Sequence, residues 1–134
     1  MPLYNNGIPD GSFMLGDNRV IFRLMNADLN STADQIFIPA FTFTTFIIRE
    51  ILVTQASGAI SLATGGIYTA ASKGGTAIVS AAQSWSGLTS SVKTVTPTLG
   101  GTATDLRTGS LYLSLTAAMG SAGTANFFIM GVAG

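Results

Sequence analysis

The stretch FIIREILV, residues 46–53, decides the fold. Six of its eight residues are apolar and four of those are β-branched, a composition that suits a pleated strand. Successive side chains of a regular strand point to opposite faces. One face of 46–53 then carries Phe46, Ile48, Glu50 and Leu52, and the other Ile47, Arg49, Ile51 and Val53. Both faces are apolar with one charge in the middle. A half-exposed strand has one polar face, so this one is expected to be covered twice. A second sheet stacked about 10 Å away covers the inner side, and another chain covers the outer side. Phe46, Ile47, Ile48, Arg49, Glu50 and Ile51 are therefore the expected interface. On strict alternation Arg49 and Glu50 point opposite ways. Whichever faces the neighbour is expected to be paired there, because an unpaired buried charge costs several kcal/mol.

Working outward, the surrounding stretch, residues 42–56, is rich in threonine, aromatic and β-branched residues, and QIFIP before it reads as a short strand. GAISLATGGIYTAA follows, then SKGG at 72–75 as a hairpin turn returning into TAIVSAA. Pro97 confines VKTVTPTL to an edge or ends it. In SLYLSLT, Leu111, Leu113 and Leu115 share one face, and Tyr112 and Ser114 the other, wetter one. TANFFIMGVAG closes the chain. About eight strands, with turns every 8–12 residues and no helical period, predict an all-β, antiparallel two-sheet sandwich, jelly-roll-like in type. Residues 1–34 differ. Their turn clusters, NNGIPDGS and LGDNR, alternate with short apolar pieces and hold four of the six acids. They read as an extended N-terminal arm with one strand at 19–25, and residues 35–134 as the sandwich domain.

The 134 residues fit one domain. Six basic and six acidic side chains make only 9% charged, against about 25% in an ordinary soluble domain. The perimeter must be built from Ser, Thr, Gly, Ala and Asn. A surface so poor in charge is expected to be hidden in part by other copies, so the chain reads as a homo-oligomer: a trimer, pentamer or hexamer. The basic residues Arg19, Arg23, Arg49, Lys73, Lys93 and Arg107 are scattered, which argues against a nucleic-acid partner, since phosphate binding needs them clustered. Mean hydropathy is +0.48, but no run offers the roughly 18 unbroken apolar residues of a membrane helix. MPLYNNGIPDG, without a basic start or an apolar block, does not read as a signal peptide.

Catalytic chemistry finds few candidates. Without histidine or cysteine, the commonest general base and the usual zinc, haem and iron–sulfur ligands are missing. No cofactor or metal is expected. Ser90 and Lys93 have a Ser-x-x-Lys spacing, but none of the motifs that accompany it in acylating enzymes. GGIYTAASKGGT falls short of a phosphate loop, since Ser72 stands where glycine must precede the lysine. Tyr68 and Trp85 are the one candidate ligand platform, two aromatics on which a sugar could stack. The alternative is that Trp85, the single tryptophan, anchors the core.

Two stretches, ILVTQASGAISLATGGIYTAASKGGTAIVSAAQSWSGLT (51–89) and LYLSLTAAMGSAGTANFFIMG (111–131), resemble segments of small structural proteins of tailed bacteriophages and gene-transfer particles. Gln55 stands where that pattern has asparagine. The resemblance implies a β-sandwich virion protein: a capsid decoration, head-fibre or neck subunit, located in the virion. Its partners would be its own copies and other virion proteins such as the major capsid protein. Such a protein is not an enzyme. The alternative is a carbohydrate- or host-receptor-binding module on a similar sandwich.

Overall fold

The computed structural model describes residues 18–89 and 91–134. Ten strands form two antiparallel sheets: β1 (Arg19–Asp28), β2 (Gln35–Ile36), β3 (Ile38–Pro39), β4 (Thr45–Thr54), β5 (Thr64–Ala70), β6 (Gly74–Val79), β7 (Thr94–Val95), β8 (Arg107–Thr108), β9 (Tyr112–Ala117) and β10 (Thr124–Ala133). The larger sheet has the order β3-β1-β10-β4-β7, with β8 also on β4, and the smaller the order β2-β9-β5-β6. The expected all-β two-sheet sandwich is thus found. The count exceeds eight because QIFIP, read as one strand, divides into β2 and β3 at Phe37, and because the two-residue β8 is too short to leave a sequence pattern.

The core lies between the sheets. β9 supplies Leu113 and Leu115, with Leu111 just before it, and β10 supplies Ala125, Phe127 and Ile129, all at most 1% exposed. Trp85 is fully buried beside Phe127, ring centroids 5.1 Å apart and edge-on, and its indole N–H donates to the Gly65 carbonyl at 3.2 Å. Phe22, Phe43 and Phe46 form a second edge-to-face cluster, with centroids 5.0 to 5.8 Å apart.

β4 departs from strict alternation, and that corrects the expected faces. Phe46, Ile48, Ile51 and Val53 are all buried, while Arg49 and Glu50 are both exposed. Two inward residues three apart require an extra residue between them. The pairing with β10 supplies it: Met130 lies opposite Glu50 and Gly131 opposite Ile48, leaving Arg49 as the bulge. A single inserted residue swaps the face of everything after it. Arg49 and Glu50 therefore emerge on one side rather than two. Gly131 makes the bulge feasible, because a Cβ there would lie 1.9 Å from the Ile47 carbonyl oxygen.

The expected boundary at residue 35 moves as well. β1 is an interior strand between β3 and β10, and Ile21, Phe22 and Ala27 are core residues. Among the described residues the sandwich begins at Arg19, and the rest of the expected arm, residues 1–17, lies outside them. β2 and β3 belong to different sheets. The chain crosses between them at Phe37, which is buried and donates its N–H to the Leu111 carbonyl at 2.9 Å. On its far edge β4 is paired at Thr45 and Phe46 by β8 and at Val53 and Thr54 by β7.

The exposed surface is 6262 Å², close to the roughly 6,600 Å² of a folded monomer of this mass. One chain completes its own core, so the place for a further chain is to be sought on the outer faces.

Candidate functional site

The two outer faces differ. On the smaller sheet, the turn between β5 and β6 has positive φ at both Ser72 (57°) and Lys73 (59°), and the Gly74 N–H donates to the Ala71 carbonyl at 3.1 Å. Two such residues in sequence mark a type I′ turn, whose twist suits a hairpin. The turn is tied back. The Ser72 N–H donates to Asp34 Oδ2 at 2.7 Å, and Lys73 Nζ to Ser114 Oγ at 3.0 Å. Asp34 precedes β2 and Ser114 lies on β9, so the turn reaches across β9 towards the sheet's opposite edge. The bond from Ser72, the Ser114 hydroxyl and the Lys73 charge hold the Asp34 carboxyl below its ordinary pKa. Ser114 is fully buried and Tyr68 is 5% exposed, and burial pushes the Tyr68 phenol up. The hairpin covers part of the face read from the sequence as wet; Ile36, 47% exposed, and the half-buried Tyr112 stand in register with Tyr68 beside it.

The outer face of the larger sheet has no such cover among the described residues. On β10, Phe128 and Met130 alternate with the buried Phe127 and Ile129 and are half-buried. Register places their neighbours. Ile38 on β3, Arg23 on β1, Phe128 on β10 and Leu52 on β4 form one row across four strands. Val20, Met130 and Glu50 form the next, and Val132 lies opposite Ile47 beyond it. Ile38 and Met25, towards the β1 edge, are 54% and 50% exposed. Ile47, Leu52, Val20, Phe128 and Met130 are half-buried, and Val132 is buried. A continuous apolar field thus crosses the sheet. Arg23, Arg49 and Glu50 are its charges, and Asn18 Nδ2 donates to Glu50 Oε1 at 3.0 Å. At one end the field stops at Asn126, whose Oδ1 accepts from the Asn26 N–H at 2.8 Å and whose amide N–H donates to Gln55.

The structure divides the expected site residues. Phe46, Ile48 and Ile51 are core residues and cannot touch another chain. Ile47, Arg49 and Glu50 are on the outer face. Sequence reading missed Phe128, Met130, Leu52, Val20, Ile38 and Met25. NFFIM on β10 carried the signal, being apolar at both parities just as 46–53 is. Trp85 belongs to the core, and Tyr68 alternates with the buried Ile67 on the far side of the smaller sheet, so the two form no joint platform. Ser90 lies outside the described residues. Among the described residues, no three His, Cys, Asp or Glu side chains gather at one point, and no helix is long and apolar enough to cross a membrane.

No family model, curated protein or solved structure matches the chain.

Proposed function

We propose that the chain is a structural subunit that associates with further copies through the outer face of the larger sheet, and that it covers or extends a phage-type particle. One observation carries the association: the β5–β6 turn ties down part of the smaller sheet's outer face, whereas the larger sheet's presents six apolar side chains in register, Ile38, Val20, Phe128, Met130, Leu52 and Ile47. Three ten-residue strands about 4.8 Å apart and about 34 Å long, with the two-residue β3 beside them, offer on the order of 500 Å² in projection. A standard interface takes about 800 Å² from each partner. Apolar burial at about 25 cal/mol per Å², reduced by the cost of association, would supply the affinity. The particle reading comes from the likeness of residues 51–89 and 111–131 to phage structural proteins, and the partner it adds is a major capsid protein. The role is mechanical, with no turnover. Burial of Trp85 leaves the carbohydrate reading without its platform.

The test is the mass of the full chain by light scattering and native mass spectrometry. A closed oligomer of three, five or six copies is expected. Leu52→Glu and Phe128→Glu place a charge in the apolar field without entering the core, so each should yield a folded monomer with the parent's circular dichroism and a thermal midpoint that no longer depends on concentration. A full chain that stays monomeric at hundreds of micromolar, or variants that associate as the parent does, would overturn the reading.

A further inference from the structure

Charge on this face decides what can sit on it. Arg23 and Arg49 stand against the single acid Glu50, which already accepts from Asn18. Two bare faces brought together would set these surplus positive charges against each other, and like charges in a contact cost affinity. The face calls for an apolar partner bearing acid. Residues 1–17 have that chemistry: Phe13, Met14 and Leu15 are contiguous and apolar, Asp10 and Asp17 are acidic, and there is no Lys or Arg. The described chain also begins at this face, with Asn18 bonded to β4 at Glu50. Seventeen residues span up to about 55–60 Å when extended, well beyond the roughly 34 Å length of a ten-residue strand, so a neighbouring copy is within reach.

We propose that residues 1–17 of one copy seat on the outer face of the larger sheet of the next, with Phe13–Leu15 against Leu52, Phe128 and Met130 and the two aspartates toward Arg23 and Arg49. This rests on the face being the association surface. It adds that subunits are joined by exchanged segments rather than by sheet against sheet.

The chain has no cysteine, so introduced thiols report without background. A Met14→Cys chain mixed with a Leu52→Cys chain should give a disulfide-linked pair on oxidation. A Met14→Cys chain mixed with a Ser121→Cys chain, whose thiol lies on a distant exposed loop, should not. In the full chain, Phe13→Glu with Leu15→Glu should weaken association at least tenfold and leave the circular dichroism of the folded chain unchanged. If the parent is oligomeric but the Met14–Leu52 pair does not cross-link and the Glu variants associate normally, the exchange is refuted while the association surface stands. If a Met14→Cys/Leu52→Cys double variant closes its disulfide within a single chain, the segment covers its own sheet and the exchange is again refuted. A monomeric parent removes the association surface and the exchange with it.

Discussion

Replacing Gly131 with alanine tests the β4 bulge directly. The added methyl would sit 1.9 Å from the Ile47 carbonyl oxygen and 3.0 Å from its carbon. Both atoms are backbone, so no side chain can swing away, and ordinary contact needs about 1.5 Å more. There are two ways to make room. One is to lose the bulge, which would turn Ile51 and Val53 outward. At about 1.5–3 kcal/mol for each exposed aliphatic side chain, that route costs about 3–6 kcal/mol. The other is to part β10 from β4 locally. That sacrifices one or two ladder hydrogen bonds at about 0.5–1.5 kcal/mol each and adds strain of about 1–3 kcal/mol. The second route is cheaper, and a loss of about 2–4 kcal/mol is expected. Unfolding entropy scales to about 0.28 kcal/mol/K for a chain of this length, so the thermal midpoint should fall by about 7–14 °C. Chemical denaturation with circular dichroism measures the loss. Gly101→Ala is the control: a Cβ there meets nothing within 4 Å, and alanine should be neutral or gain up to about 1 kcal/mol through the unfolded state. If Gly131→Ala costs less than about 0.5 kcal/mol, the bulge is not where the faces of β4 change over.

Two further predictions concern buried contacts. Trp85→Phe removes the indole donor from the Gly65 carbonyl and leaves a small void, so stability should drop by about 2–3 kcal/mol. The parent's emission, from its one tryptophan, should be blue-shifted, resistant to iodide and indifferent to sugars, and an emission maximum typical of solvated indole would contradict the packing. Asp34 has its pKa lowered in the fold. Its contribution to stability is present above the unfolded-state value of about 4 and is lost as pH falls through the lower folded value. Asp34→Asn should therefore flatten the parent's fall in stability below about pH 4, and an unchanged acid limb in stability-versus-pH curves would show that the Ser72 and Ser114 bonds do not favour the carboxylate.

The sandwich was legible because its long strands declare themselves. Leu111, Leu113 and Leu115 alternate in SLYLSLT, and all three are core residues. The type I′ turn at Ser72-Lys73 could be placed from SKGG. In 46–53 the apolar content announced a strand, but parity grouped Ile51 and Val53 with the wrong face. A bulge is a property of two strands, here set by Gly131 some eighty residues later, and cannot be read within one of them. The strand expected at 19–25 is found as β1, but the same non-locality hid its place beside β10, which comes from long-range register, and the crossing at Phe37, where a single buried aromatic separates strands of two sheets. The outer face was half seen. Arg49, Glu50 and Ile47 came from 46–53, while Phe128 and Met130 were passed over because NFFIM has no charge to draw attention to its second parity.

The bulge also bears on what the chain avoids. Between the short pairings with β8 and β7, the far edge of β4 from Ile47 to Leu52 meets no other strand among the described residues. A straight apolar edge of that length would be a template for indefinite strand-by-strand growth into fibres. Arg49 interrupts it at the midpoint, twisting the backbone out of register and placing two opposite charges side by side where an incoming strand would have to lie flat. The residue that turns Ile51 and Val53 inward thus also guards this edge against open-ended strand pairing.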